Sequence, residues 1–520
     1  MISKLKTHSL FIRPINAGLN SVLTLSFQKA TPVIVVFAVM ALETFAIFAN
    51  GAYFLSAMTL CVVSVWTLLV TMLLVNRNEI LSNLTRRQLI LLGTISVFWA
   101  WVGLSLSWSI SADQTWTDFN RTGSYVAVLM VGMMVASSRK ARHLAPVLFT
   151  CVATVTALYA IASKALPMGN DSLGGVARVV VPMGYSNAMG LLMALAYPLS
   201  IYIASSRCYK PFARIFMVVS TLIIGICLFF TASRGATMAL AIGLLIYFAA
   251  SPLRLRSLGV FILSLSPTIL IALWAGGQDA MVKDNVDMSL RLASATELRI
   301  YLGVSILLVT LIFIIALFVA KRIRFSRFAT RITGGVALIF IISAISTAIA
   351  LFASAQPSLG GWARQAHHNF IVGTPSQTAG GGRLIEFTLA GRSPIWEVAM
   401  ANWEENPIKG SGAQSFPVVY LLRRETDDFV KQAHGLGFSL LAELGLVGFL
   451  LMWAFIAMSL TYAALLVCKL RDRCEKGLAA AIVSILVIYL IHTSYDWDWN
   501  MFALTLPYFF FTGILLGWRR

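Results

Sequence analysis

The sequence predicts an all-α, polytopic integral membrane protein with about 14 transmembrane helices and one large, partly helical outer loop. Of the 520 residues, 58% are hydrophobic and only 12% are charged, whereas soluble globular domains carry about 25% charged residues. Apolar runs of roughly 20 residues, the length that crosses a bilayer as a helix, recur along the whole chain. These runs are continuous and do not alternate, which excludes a transmembrane barrel.

The predicted spans share a continuous apolar composition between polar connections. They cover residues 30–50, 52–75, 88–107, 123–137, 144–163, 184–204, 215–232, 236–251, 257–276, 301–320, 332–354, 437–467, 478–495 and 501–518. We therefore expect four regions, in which an N-terminal arm and a large outer loop flank two groups of transmembrane helices. Their bounds are 1–28 for the arm, 29–354 for helices 1–11, 355–436 for the loop and 437–520 for helices 12–14.

The net charge of +19 reflects membrane topology. Most of the 40 Lys and Arg residues lie in alternate connections, and most of the 21 Asp and Glu residues lie in the others. This positive-inside pattern predicts that both termini are cytoplasmic. It makes anionic membrane lipids the partners of the basic side and argues against nucleic acid as a partner.

Several familiar kinds of site are missing from the sequence. None of the six cysteines falls in a predicted outer loop, so we expect neither a disulfide framework nor a metal site. No phosphate-binding P-loop, nucleophile elbow or zinc cluster is found. The lack of a P-loop argues against ATP-driven transport by this chain.

The predicted outer loop has structured parts. Residues 392–405 show helical spacing, with Pro394 in the first turn. A turn cluster follows at 406–412, and a second polar helix is expected at about 417–431. Residues 357–382 are rich in Gly, Ser, Thr and Gln, and we expect them to be the mobile part.

His434 is the candidate catalytic residue, because it stands at the last polar position before the span at 437–467. Histidine is the side chain best suited to move protons near neutral pH. A base at this position could act where a water-soluble group meets a lipid-anchored group. The alternative, a histidine that only caps the helix N-terminus, is equally compatible with the sequence.

Four arginines at predicted outer helix ends are candidate phosphate ligands, because guanidinium groups bind phosphate oxygens bidentately. They are Arg121, Arg178, Arg234 and Arg392. Arg234 stands between two apolar runs with almost no loop, which favours a functional role. For Arg121 and Arg178 the sequence favours the alternative, in which the side chain snorkels or forms a salt bridge.

Asn187, Glu443 and Asp496 complete the candidate set. Asn187 begins a span after a turn, so it could line the same cavity or cap its helix. Asp496 lies with Asp498 between the last two spans. These acids could orient an arginine or a histidine, or they could be solvated. Glu443 lies nine residues after His434 and is a candidate supporting residue.

Four sequence elements together resemble the O-antigen ligase/O-antigen polymerase superfamily, whose members are polytopic membrane glycosyltransferases of the GT-C type. The elements are Gly184-Tyr-Ser-Asn-Ala-Met-Gly190, Thr231-Ala-Ser-Arg-Gly-Ala236, Arg392-Ser-Pro-Ile-Trp396 with Asn406-Pro-Ile-Lys-Gly-Ser-Gly412, and the segment from Ala433 to Gly448. Segment 392–448 is the most specific of them. Two features depart from the family: Gly435 replaces an asparagine that often follows the histidine, and about twelve spans are usual.

The resemblance implies an inverting transfer of a glycan from a polyprenyl (undecaprenyl) pyrophosphate to an acceptor on the outer face of the bacterial cytoplasmic membrane, in envelope polysaccharide assembly. It implies that His434 is the general base, that Arg234 and Arg392 hold the pyrophosphate, and that no metal or other cofactor is needed. A ligase is favoured over a polymerase with the same chemistry. A transporter or flippase of lipid-linked sugars is the alternative from another class.

Overall fold

The computed structural model describes residues 15–81, 84–167, 177–322, 392–424 and 429–518. The predicted span at 332–354 and residues 355–391 of the predicted outer loop, which include the whole of its expected mobile part, lie outside these residues. Every other predicted span coincides with a described helix. Throughout the described ranges the regular structure is helical and contains no β-strand.

The helices are α-helical apart from three single 3₁₀ turns at Asn50–Ala52, Ser105–Ser107 and Asp498–Asn500. The first eight are α1 Ile15–Phe48, α2 Leu55–Leu81, α3 Arg86–Leu104, α4 Ala112–Val135, α5 Arg139–Ala165, α6 Ser186–Ser205, α7 Pro211–Thr231 and α8 Arg234–Ala250. The others are α9 Arg254–Gly276, α10 Asp279–Val282, α11 Met288–Arg322, α12 Ser393–Glu405, α13 Phe416–Arg423, α14 Leu436–Lys469, α15 Arg473–Thr493 and α16 Phe502–Leu516.

Ten of the described helices are long and apolar enough to cross a membrane, so the predicted number of about fourteen is not confirmed. Helices α8 and α16 are apolar but shorter, and the first three turns of α4 carry Asp113, Asp118 and Arg121. Two further details differ from expectation. Helix α1 begins at Ile15, inside the predicted arm, and α13 ends at Arg423 although a helix to about residue 431 was predicted.

The centre of the bundle is α6, which is buried along its whole length and packs against α7, α8 and α15. Helices α4 and α16 approach each other closely through small residues. A Cβ atom at Gly132 would lie 2.3 Å from the Phe510 carbonyl oxygen, and one at Gly513 would lie 2.2 Å from the Leu129 carbonyl oxygen. Close backbone contact of this kind is typical of helix pairs in membranes.

A turn of the predicted outer loop docks into a break in α14. Gly445 has non-helical dihedral angles (φ 64°, ψ −168°), which interrupt α14 at this residue. The backbone amides of Leu446 and Gly412 donate to the carbonyls of Pro407 and Glu443 at 2.8 Å each. Backbone groups released by the break are therefore paired with the turn at 406–412, as burial in a membrane protein requires.

A set of charges lies at the N-terminal end of α15, about 30 Å from the C-terminal end of this helix at 1.5 Å per residue. Glu475 contacts Arg139 at 2.8 Å, Arg142 at 3.3 Å and His143 at 2.9 Å. Beside this cluster, Cys208 and Cys474 form a disulfide with a Cα–Cα distance of 6.3 Å. The expectation that no disulfide would form was therefore wrong, because these cysteines, 266 residues apart in sequence, meet only in the folded chain.

We expect Gly410→Ala to destabilise the protein by at least about 2 kcal/mol, as a left-handed alanine costs about 1–2 kcal/mol and overpacking about 1–3 kcal/mol. Gly410 has φ 65°, and its Cβ atom would lie 2.3 Å from the Glu443 carbonyl carbon. Gly303→Ala in α11 is the matched control, because no atom of the described residues lies within 4 Å of its added Cβ atom. Thermal unfolding in detergent would show a lower midpoint for the first variant only; equal midpoints would contradict the docked turn.

Candidate functional site

The site is built around the turn that follows α15. The backbone amides of Tyr495 and Asp496 both donate to the carbonyl of His492, at 3.2 and 3.1 Å. This turn points the Asp496 side chain inward, where the residue is only 1% exposed. Burial of a carboxylate is costly unless it is paired and hydrogen-bonded, so its partners define the site.

Four groups from three chain segments donate to Asp496. Arg392, at the start of α12, donates from Nη2 to Oδ2 at 3.1 Å. Asn187 donates to Oδ2 at 2.8 Å, and the Tyr185 hydroxyl lies 3.1 Å from both carboxylate oxygens. The backbone amide of Trp497 donates to Oδ1 at 2.9 Å. The structure therefore places three of the predicted site residues, Asp496, Arg392 and Asn187, in direct contact.

His434 faces the same carboxylate from the opposite segment. Its Nδ1 lies 3.8 Å from Asp496 Oδ1, which is beyond hydrogen-bond distance. The His434 carbonyl accepts a hydrogen bond from Trp396 Nε1 at 2.9 Å, and the Trp396 ring stacks on Phe438 at 4.5 Å. His434 has φ 49°, a left-handed conformation that is strained for a non-glycine residue and often found at functional sites.

Burial favours the neutral form of His434. Burial lowers the pKa of His434 from 6.5 to about 4, with the Arg392 charge acting in the same direction and the Asp496 charge opposing both. Burial alone would raise the pKa of Asp496. The neighbouring His492, Arg392 and His434 outweigh that effect, together with the Trp497 amide, and lower the Asp496 pKa below its ordinary value. The pair is therefore a carboxylate beside an uncharged imidazole.

Arg178 and Asn187 connect this carboxylate to the turn between α7 and α8. Arg178 donates from Nη2 to Asn187 Oδ1 at 2.7 Å and from Nε to the Thr231 carbonyl at 2.8 Å. Both candidates are thus hydrogen-bonded within the protein. These hydrogen bonds link Asp496 to the end of α7, so Arg178 and Asn187 stabilise the site.

Arg234 opens α8 directly after the Ser233 N-cap. A Cβ atom on the adjacent Gly235 would lie 2.3 Å from the Tyr495 ring, so the start of α8 packs against the turn that carries Asp496. The Arg392 guanidinium lies 5.8 Å from the centre of the same ring. Tyr495 thus lies between the backbone that carries Arg234 and the side chain of Arg392.

Arg121 and Glu443 belong to a second buried cluster. Arg121 donates to Asn500 Oδ1 and lies 3.5 Å from Asp118, and the Gln414 amide also donates to Asn500 Oδ1, at 2.6 Å. Glu443 accepts a hydrogen bond from the Phe416 amide at 3.2 Å. A cavity lined by side chains of both clusters, including Asp118, Glu443 and Asp496, joins them.

Three contributors to the site were not predicted. Tyr185 was visible only as part of a short motif, and nothing distinguished its hydroxyl from that of an interfacial tyrosine. Trp396 was part of the predicted helix at 392–405, but nothing in the sequence indicated that its indole donates to the His434 carbonyl. His492, fully buried, pairs with Asp498 at 2.6 Å, which supports the pairing alternative for Asp498. Among the described residues, no group of three or more His, Cys, Asp or Glu side chains could hold a metal ion.

Residues 293–453 match a family model described as O-antigen ligase. This match supports the resemblance to the O-antigen ligase superfamily. The resemblance is therefore confirmed there, over the part that carries Arg392, the 406–412 turn and His434. No curated protein matches the chain. Family and apolar helices together indicate a multi-pass protein of the bacterial inner membrane with a glycosyltransferase-type function in O-antigen assembly.

The family also helps to interpret Gly435. A Cβ atom at this position would lie 2.9 Å from the Ser494 carbonyl oxygen. The turn before Asp496 therefore fills the space that an asparagine side chain would need. In this chain, the glycine after the histidine allows close approach of two backbones.

We expect Trp396→Phe to loosen the segment around His434, because phenylalanine keeps a ring against Phe438 but cannot donate to the His434 carbonyl. Hydrogen–deuterium exchange of the peptide covering 429–438 should become faster. Trp403→Phe is the matched control on the same helix, since the Trp403 indole donates to the Pro407 carbonyl at 3.1 Å. Unchanged exchange at 429–438 in the first variant would mean that the indole does not hold His434.

Proposed function

We propose that the protein is an inverting glycosyltransferase that moves a glycan from a polyprenyl (undecaprenyl) pyrophosphate to an acceptor hydroxyl on the outer face of the bacterial inner membrane. Both termini would be cytoplasmic. O-antigen ligase is the favoured activity, with a glycolipid or another envelope molecule as acceptor. The observation that carries the proposal is the Asp496 carboxylate, which binds Arg392 on one oxygen and faces the His434 imidazole with the other.

The proposed reaction consists of one proton transfer to His434 and one displacement at the anomeric carbon. Nδ1 of His434 faces Asp496, so Nε2 is the atom that accepts the proton of the acceptor hydroxyl. The acceptor oxygen forms a bond to the anomeric carbon as the bond from that carbon to the phosphate oxygen breaks. The electron pair leaves with the polyprenyl pyrophosphate, and the imidazolium then loses its proton to solvent. Asp496 orients the imidazole and stabilises its charged form.

The arginines have different roles in this proposal. Arg392 and Arg234 would hold the pyrophosphate and stabilise the charge that develops on it. Arg178 and Asn187 would position Asp496 and the turn before Arg234, in line with their hydrogen bonds. Arg121 would act only indirectly, since it is bound to Asn500 in the second cluster. Glu443 supports the docked loop by accepting the Phe416 amide.

Purified His434→Ala and Arg392→Ala should each lose at least about 100-fold in transfer rate, because a positioned base contributes about 10²–10⁴-fold and a charge-stabilising donor about 10²–10³-fold. The assay follows release of polyprenyl pyrophosphate from a lipid-linked glycan with candidate acceptors. Arg423→Ala is the matched control: this loop arginine pairs with the 60%-exposed Glu405 side chain, and its variant should keep wild-type activity.

The size of the product separates the two activities that share this chemistry, because a ligase transfers one preformed glycan and a polymerase lengthens it. Wild-type transfer by His434→Ala would rule out the assigned base. A broken helix such as α14 also occurs in transporters. No transfer to any acceptor, together with movement of the lipid-linked glycan across liposomes, would favour the transporter.

A further inference from the structure

Arg392 and His434 compete for one carboxylate. Arg392 occupies Asp496 Oδ2 at 3.1 Å, whereas His434 Nδ1 stays 3.8 Å from Oδ1. The Nδ1 atom is buried and has no hydrogen-bond partner among the described residues. A catalytic histidine is normally oriented by a hydrogen bond from its second nitrogen to a carboxylate. In the structure, that hydrogen bond is about 1 Å too long.

The remaining partners of Asp496 keep the carboxylate in place. Tyr185 and Asn187 come from the start of the buried central helix, and the Trp497 amide belongs to the turn itself. None of these donors carries a charge. Arg392 is therefore the one full positive charge in hydrogen-bond contact with Asp496 within the described ranges. It is also the group that the proposed function assigns to the pyrophosphate.

We propose that Arg392 couples donor binding to activation of the base: it shields Asp496 from His434 in the resting protein, and a bound pyrophosphate draws the guanidinium away and releases the carboxylate to His434. This inference rests on the proposed function. A pyrophosphate carries more negative charge than one carboxylate and can bind the guanidinium bidentately. Once the Arg392 charge is balanced by phosphate, Asp496 acts on the imidazole unopposed.

The basicity of His434 would therefore increase when the donor binds. With a pKa of about 4 in the resting protein, His434 is a poor base, since the best general bases have a pKa near the working pH. An unshielded carboxylate within about 4–6 Å raises the pKa of a cationic acid by about 1–3 units. The acceptor hydroxyl would thus be deprotonated efficiently only with the donor in place, which favours an ordered reaction.

Other charged and titratable groups surround the pair and remain unchanged in this scheme. They come from every packed element: Tyr185 and Arg178 before α6, Arg234 on α8, His492 on α15, Tyr495 and Asp498 on the turn, and Glu443 on α14. The test must therefore separate the effect of Arg392 from the charge of the ligand and from these neighbours.

The experiment measures the protonation of His434 directly, without turnover. Diethyl pyrocarbonate modifies only the unprotonated imidazole, and peptide mass spectrometry reports each histidine separately. His434 is accessible enough to react, because its side chain is 22% exposed. The rate is followed from pH 4.5 to 8 in the full chain, with and without inorganic pyrophosphate, and normalised to its value at pH 8. A thermal shift reports whether pyrophosphate binds.

In the wild type without ligand, the normalised rate should stay nearly constant down to pH 5. Pyrophosphate should move the midpoint upward by at least about one pH unit, a tenfold loss of labelling at low pH. Arg392→Gln should show the raised midpoint without ligand, and Arg392→Lys, which keeps the charge, should behave like the wild type. In Asp496→Asn, pyrophosphate should not move the midpoint, which separates release of Asp496 from direct attraction by the ligand.

The other outcomes distinguish a failure of the coupling from a failure of the proposed function. Binding of pyrophosphate to the wild type with an unchanged midpoint would overturn the coupling and leave the proposed function intact. A shift that persists in Asp496→Asn would also overturn it, because the ligand charge would then act directly. Absence of binding would count against the donor site of the proposed function. In that case equal midpoints for Arg392→Gln and Arg392→Lys would overturn the shielding role as well.

Discussion

The negative charge of Asp496 must be compensated inside the protein, and the meeting of three distant chain segments follows from that need. An isolated buried carboxylate costs several kcal/mol, and a hydrogen bond to a charged group returns about 1.5–3 kcal/mol. Asp496 obtains such bonds from the start of α6, from the start of α12 and from its own turn. Each donor is fixed by a further contact, so the charge organises a region much larger than its direct neighbours.

The outer loop reaches this charge because of how it is anchored. The turn at 406–412 replaces backbone hydrogen bonds that α14 loses at Gly445. The Trp108 indole strengthens the attachment by donating to the Lys409 carbonyl, and Trp101 of α3 donates to the Leu444 carbonyl beside the break in α14. Helix α12 is thereby placed with Arg392 at Asp496 and with Trp396 on the His434 backbone. Several separate hydrogen bonds hold the loop to the bundle, so its residues are positioned as accurately as residues of a bundle helix.

The sequence was sufficient for features that depend on local chemistry. Apolar runs of bilayer length predicted the positions of the described helices, and Pro394 with helical spacing predicted α12 almost to its bounds. The number of spans was not confirmed, because α4 mixes charges with an apolar second half, α8 and α16 are short, and the predicted span at 332–354 lies outside the described residues. The link from Asp496 to Tyr185 could not be predicted, since these residues are 311 positions apart. The local sequence does not show whether an acid such as Asp496 is solvated or buried.

The sequence favoured Arg234 over Arg121 and Arg178 as a functional residue, but it could not show which groups each arginine contacts. All four guanidinium groups have the chemistry to bind an anion. The contacts that each one makes within the protein decide whether it can bind a ligand. Arg121 is tied to Asn500 and Asp118, and Arg178 to Asn187 and Thr231. Arg392 instead binds a carboxylate that three uncharged donors already satisfy in part. In the proposed mechanism, a phosphate replaces Asp496 as the partner of Arg392, and the uncharged donors remain on the carboxylate.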